Sequence, residues 1–115
     1  MPLNNFDVDA SPMVIWEGSH QIFRAAFQQV FHGMRDAEIC DHDITALYTA
    51  TRKHVFETCP RVKVHARPGE AYVLDPMCLH GVAPWTTGAT APSEGRMIAY
   101  FRPEVRRVTD WLNTP

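Results

Sequence analysis

A chain of 115 residues is long enough for one small domain and too short for two. Its 45% hydrophobic content, with six Phe and three Trp, describes a packed protein and not a disordered tail. The net charge of -2 comes from acidic and basic residues scattered without a basic stripe, which argues against nucleic acid as a partner, and no apolar run is long enough to span a bilayer.

The first eleven residues, MPLNNFDVDAS, are rich in turn formers and read as loop. PMVIW (12–16) is a short continuous apolar run, as expected of a strand covered on both faces. Gly18 then breaks the run, and Ser19 is the expected N-cap of a helix starting at His20. Phe23, Ala26, Phe27, Val30 and Phe31 recur at spacings of three and four, so this helix is amphipathic and should end near Gly33. MRDAEICDHD (34–43) reads as a polar loop. Asp43 is the expected cap of a second helix, ITALYTATRKHVFETC (44–59), with Ala46, Leu47, Ala50 and Val55 on its apolar side and Pro60 as its stop.

After Pro60 the period changes. RVKVHA (61–66) alternates, with Val62, Val64 and Ala66 on one face, as a half-buried strand does. Pro68-Gly69 suits the centre of a type II turn leading to a strand at 70–75, EAYVLD. A Gly, Pro and Thr-rich loop follows from Gly81 to Gly95. RMIAYF (96–101) reads as a strand and EVRRVTDWLN (104–113) as a short terminal helix. Strand, two helices and three strands favour α+β with an antiparallel sheet, and four strands do not close a barrel.

Three cysteines, Cys40, Cys59 and Cys78, are odd in number and never form CxxC. With no secretory leader pattern, they predict free thiols in a reducing, cytoplasmic setting. The chain has six histidines (His20, His32, His42, His54, His65 and His80), but no HExxH, HxD or HxE. CDHD at 40–43 resembles a metal motif only superficially and reads as a solvated loop, while His54 and His65 read as structural or solvated.

His80 has a different setting. It follows an expected strand and precedes Gly81, whose missing side chain lets another group approach. Arg96, in phase with Ile98 and Tyr100, points to one face of its strand. An inward arginine requires an anionic partner, and its fork suits a carboxylate. The residues alone leave two readings: a metal ligand with an anion-binding arginine, or a buried histidine with a structural ion pair.

SPMVIWEGSH, RPGEAYVLDPMCLHGVAPW and GRMIAYFRP, taken in order, resemble the C-terminal half of the phytanoyl-CoA dioxygenase-like Fe(II)/2-oxoglutarate oxygenases. The resemblance covers Ser11 to Pro103. It implies a mainly β fold, part of a double-stranded β-helix (jelly roll, cupin-like) with a two-helix insertion, the whole of 1–115 being the C-terminal portion of that domain. His80 matches the distal histidine of a 2-His-1-carboxylate triad. Arg96 matches the residue that binds the distal carboxylate of 2-oxoglutarate, with Arg102, in the same phase, as the reserve. The implied cofactors are Fe(II) and 2-oxoglutarate, and the implied activity is hydroxylation of a small molecule.

The family takes its other two iron ligands from an HxD on an earlier strand, and this chain has none; the matching region would precede Met1. Asp7 and Asp9 lie too close to the first strand to replace it. His80 is therefore expected to be a single ligand position, with no catalytic residue assigned and no activity in the isolated chain. The alternatives are a non-catalytic carboxylate- or protein-binding jelly-roll module, or an enzyme completed by a second chain. Half a jelly roll leaves strand edges open, which predicts a homodimer or edge-paired assembly.

Overall fold

Trp16 and Val14 point from one face of a short central strand, and Trp16 packs against a layer of helices. A computed structural model, describing residues 1–113, arranges the chain as β1 (Met13–Trp16), α1 (Ser19–Phe31), α2 (Asp36–Asp41), α3 (Thr45–Thr58), β2 (Arg61–Val64), β3 (His80–Val82) and α4 (Val108–Asn113). The sheet is antiparallel throughout, in the order β2-β1-β3. This is the mixed helix-and-sheet architecture expected from the sequence, but helix outweighs strand among the described residues. The fold is therefore not mainly β there. Three strands in one sheet leave β2 and β3 as edges. No described helix is long and apolar enough to cross a membrane.

Register sets the two faces of the sheet. Ile15 pairs with Val62 on one side and His80 on the other, and Met13 pairs with Val64 and Val82. Directly opposed residues share a face, so five apolar side chains and His80 lie together, away from Val14 and Trp16.

The helices form for the expected reasons, with four differences. In α1 the residues Ser19, Phe23, Phe27 and Phe31 recur every fourth position and are all buried. Gly33, at φ +76°, takes the left-handed conformation that ends the helix. Ser19 is not the N-cap. Gly18 holds that position, and the Ser19 hydroxyl turns inward to accept from the Leu79 amide at 2.8 Å.

α2 lies where the sequence reads as loop. Glu38 reaches back to accept from the Arg35 amide at 3.2 Å, half of a capping box, and Asp36 and Glu38 complement the positive end of the helix. Ile39, buried, fastens this short helix to the core.

α3 begins close to the expected point, but Ile44 and not Asp43 is its N-cap; the Asp43 carboxylate, one residue earlier, accepts from the Thr45 amide and hydroxyl at 2.9 and 2.7 Å. These two bonds hold the Asp43 carboxyl below its ordinary pKa. The inward stripe of α3 is the half-buried Leu47 with buried Thr51 and Val55; Ala46 and Ala50, expected inside, face solvent. Thr51 tolerates burial because its hydroxyl donates to the Leu47 carbonyl at 2.7 Å.

The strand prediction holds less well. The turn at 67–70 forms, with Gly69 at φ +85° and the Glu70 amide donating to the Arg67 carbonyl at 3.0 Å. The segment after it keeps its alternation, with Tyr72 and Leu74 half-buried and Ala71 and Val73 exposed, yet it joins no ladder. Alternation reports which side faces the body; pairing also requires a neighbour at hydrogen-bonding distance. In the 96–101 segment only Ile98 forms a bridge, and its partner is Pro2 from the stretch read as loop. The Leu3 amide donates to Met97 and the Ala99 amide to Met1, so the N-terminus runs antiparallel beside 97–99.

Candidate functional site

The junction between α1 and β3 is closed by hydrogen bonds that converge from 16–20 and 75–80. The Trp16 amide donates to the Leu79 carbonyl at 3.0 Å, tying the end of β1 to the start of β3. Ser19, with no exposed surface, accepts from the Leu79 amide, which leaves its own hydrogen for the Cys78 sulfur at 3.7 Å. The Cys78 thiol in turn lies 3.9 Å from the Trp16 carbonyl and 3.8 Å from that of Leu79. Cys78 is a buried free thiol. Ser19→Ala leaves the Leu79 amide without an acceptor, so urea unfolding should show a loss of about 1–3 kcal/mol, whereas Ser19→Thr, which keeps the oxygen, should lose less if the extra methyl fits.

His80 opens β3 and is exposed. Its Nδ1 lies 2.8 Å from the Cys78 carbonyl. A carbonyl oxygen only accepts, so Nδ1 carries the hydrogen and a neutral His80 has its lone pair on Nε2. Metal-binding histidines are commonly fixed in this way, with one ring nitrogen donating to a backbone carbonyl and the other left to coordinate.

The segment before His80 is anchored by an ion pair that sequence reasoning does not reveal. Arg24 Nη2 lies 2.8 Å from both oxygens of Asp75, and the two side chains are 17% and 18% exposed. The Met77 amide donates to the same carboxylate at 2.8 Å, and the Cys78 amide donates to the Asp75 carbonyl at 2.9 Å. Burial raises the Asp75 pKa, but the hydrogen bonds from Arg24 and Met77 outweigh it and hold the carboxyl below its ordinary value. The DP pair at 75–76 is a local signal for such a turn; its partner on α1 leaves no mark in the sequence.

Arg96 lies elsewhere. Its Nη1 donates to the Ser11 carbonyl, and its guanidinium stands 5.2 Å from the centre of the Phe6 ring. Phe6 also meets His65 edge-on at 5.8 Å. Tyr72 is nearby: burial and Tyr100 raise its pKa while the Arg96 charge lowers it. Ser11 is four residues before Ile15, the partner of His80, a span of at most about 14 Å of chain. A hollow of about 360 Å³ reaches His80 but is not lined by Arg96. Arg102 is exposed.

Among the described residues, no group of three or more His, Cys, Asp or Glu could hold a metal ion. His80 suits one ligand position, but the described residues do not by themselves make a facial triad. The other histidines have separate settings: His42 meets the Phe31 ring edge-on at 5.5 Å, and His54 lies on the exposed side of α3.

Fold and site define a small α+β domain that presents an oriented histidine from an edge strand. No family model, curated protein or solved structure matches the chain.

Proposed function

We propose that this chain is the distal-histidine portion of a non-haem Fe(II)/2-oxoglutarate dioxygenase-like protein, acting on a small molecule, whose remaining iron ligands come from polypeptide outside these 115 residues. The observation that carries this reading is the Nδ1 hydrogen bond of His80, which leaves Nε2 free on an exposed strand. The sheet face around it, with Met13, Ile15, Val62, Val64 and Val82, is the apolar surface on which the completing polypeptide would pack. Arg96, which uses one of its five N–H donors on Ser11, is the proposed anchor for the 2-oxoglutarate carboxylate. Arg102 is the reserve. Fe(II) with 2-oxoglutarate would supply the oxidising chemistry; the role of this chain is to hold one ligand and one carboxylate.

The test is an anaerobic Fe(II) titration with 2-oxoglutarate, of the chain alone and of the chain co-expressed with polypeptide encoded upstream. The expected result is the charge-transfer band of the ternary complex wherever the completing ligands are present, and its loss in His80→Ala. A band indifferent to His80→Ala, or none in either preparation, overturns the reading.

A second reading, a non-catalytic carboxylate-binding module, rests on the separate placement of Arg96 beside Phe6 and near Tyr72. It requires 2-oxoglutarate to bind without metal and to be released by Arg96→Ala in calorimetry. Both readings place the edges of β2 and β3 in a homodimer or other edge-paired assembly, checked by light scattering after size exclusion.

A further inference from the structure

β2 is an edge strand whose charge is sorted by face. In RVKVHAR (61–67) Arg61, Lys63, His65 and Arg67 are exposed, while Val62, Val64 and Ala66 between them are half-buried. The alternation gives the segment one basic face and one apolar face. Pairing with β1 decides which backbone groups are left over. The Glu17 amide donates to the Pro60 carbonyl, whereas the Trp16 amide donates to Leu79 on the other side of β1. Bonding alternates along an antiparallel ladder, so Val62 and Val64 turn their amides and carbonyls toward Ile15 and Met13. Those of Arg61 and Lys63 point to the open edge, where no further strand pairs among the described residues.

Two observations narrow the occupant of this edge. Asp9 already sets a carboxylate 2.6 Å from Lys63 Nζ, so the basic face accepts an acid, and Arg61 forms no ion pair among the described residues. A second copy of β2, by contrast, does not fit. In antiparallel pairing, residues that bond across an edge lie opposite one another, so β2 against β2 sets its basic residues against the same basic residues. Like charges directly opposed destabilise a pair. An added strand is matched where acids oppose Arg61, Lys63 and His65, and where apolar side chains beside Val62 and Val64 extend the apolar face of the sheet.

We infer that the open edge of β2 takes up an extended acidic segment, Asp or Glu alternating with apolar residues, as a fourth strand of the sheet. The inference deepens the edge-paired assembly set out above by naming the chemistry of the strand that β2 accepts. It needs no iron, so the peptide titration below fails or succeeds separately from the Fe(II) titration.

The full chain, labelled with ¹⁵N, is titrated at pH 7 with the blocked peptide Glu-Val-Glu-Val-Glu-Val-Glu and with its isomer Glu-Glu-Val-Val-Val-Glu-Glu, which has the same charge but no alternation. The alternating peptide should bind with a midpoint below about 1 mM and slow solvent exchange of the Arg61 and Lys63 amides. The Val62 and Val64 amides, already bonded to β1, should keep the protection they have. The isomer should bind about tenfold more weakly, and about 1 M NaCl, where the screening length is about 3 Å, should weaken the alternating peptide by a similar factor. Arg61→Glu should also weaken it about tenfold, with unchanged α1 amide signals reporting an intact fold. Arg61 and Lys63 amides that stay unprotected at saturation, equal binding of the isomer or of a short oligothymidine, or undiminished binding by folded Arg61→Glu each overturns the inference.

Discussion

Phe27→Ala is expected to lower the unfolding free energy by about 3–5 kcal/mol. Phe27 is 2% exposed and sits at the centre of α1, touching the rings of Phe23, Phe31 and Trp111. Removing it takes away a side chain that joins α1 to α4. The cost follows the size of the new cavity and the packing removed with the ring, and Phe27 is packed on all sides within the core cluster. Small domains have about 5–15 kcal/mol in all, so the variant should be marginal but foldable. Urea unfolding by far-UV circular dichroism checks this: the midpoint should fall with the slope unchanged. Val73→Ala is the control. Val73 is 98% exposed, and its loss should stay within about 0.5 kcal/mol.

α1 is legible in the sequence because its burial pattern is carried by the largest side chains available. Phe at every fourth position leaves little choice of face. α3 is less legible. Its apolar side reads as including Ala46 and Ala50, but small residues are nearly indifferent to burial, and Thr51 is inside because it satisfies its own hydroxyl. α2 escapes the sequence reading although Glu38 and Asp36 signal it; a helix of six residues has too few positions to show a period.

The strands show a different limit. β1 and β2 are legible, since Val62 and Val64 alternate and pair with Ile15 and Met13. β3 lies at His80–Val82, where Gly and Pro nearby read as loop. Its pairing is set by Ile15 across the sheet, a long-range contact with no local sequence signature. The site divides in the same way. His80 stands out through its position beside Gly81, and the structure gives it an oriented ring. Ser19 stands out for a different role, since a hydroxyl at a helix start can cap or can reach another segment, and here it reaches Leu79. Arg96 reads as inward-pointing, and it is half-buried, but its partners are a carbonyl and an aromatic ring from the N-terminal stretch.

Arg24→Ala is expected to cost about 2–3 kcal/mol at pH 7, because it strands a carboxylate that the fold keeps mostly from water. Asp75→Asn should cost less, since the amide oxygen still accepts from the Met77 amide. The double variant should lose less than the sum of the two, which is the mark of a direct pair. Acid provides an independent check. The folded state holds the Asp75 carboxyl below its ordinary value of 3.8, so its contribution is complete above that pH and disappears as pH falls through the lower folded value. The stability gap between the native chain and Asp75→Asn should therefore be wide at pH 7 and close only below about pH 3.8. A gap that stays constant into acid would assign the effect to the turn at Met77 and remove the charge from the explanation. The pair also has a reach beyond stability. Asp75 fixes the amides of Met77 and Cys78, and the Cys78 carbonyl fixes the ring of His80. In Arg24→Ala that remains folded, the His80 imidazole signals should shift and broaden while those of His54, on the far side of α3, stay as they are. Such selectivity would mean that an ion pair on α1 holds the histidine of β3 in its ligand-ready tautomer, through a chain of contacts only six residues long from Asp75 to His80.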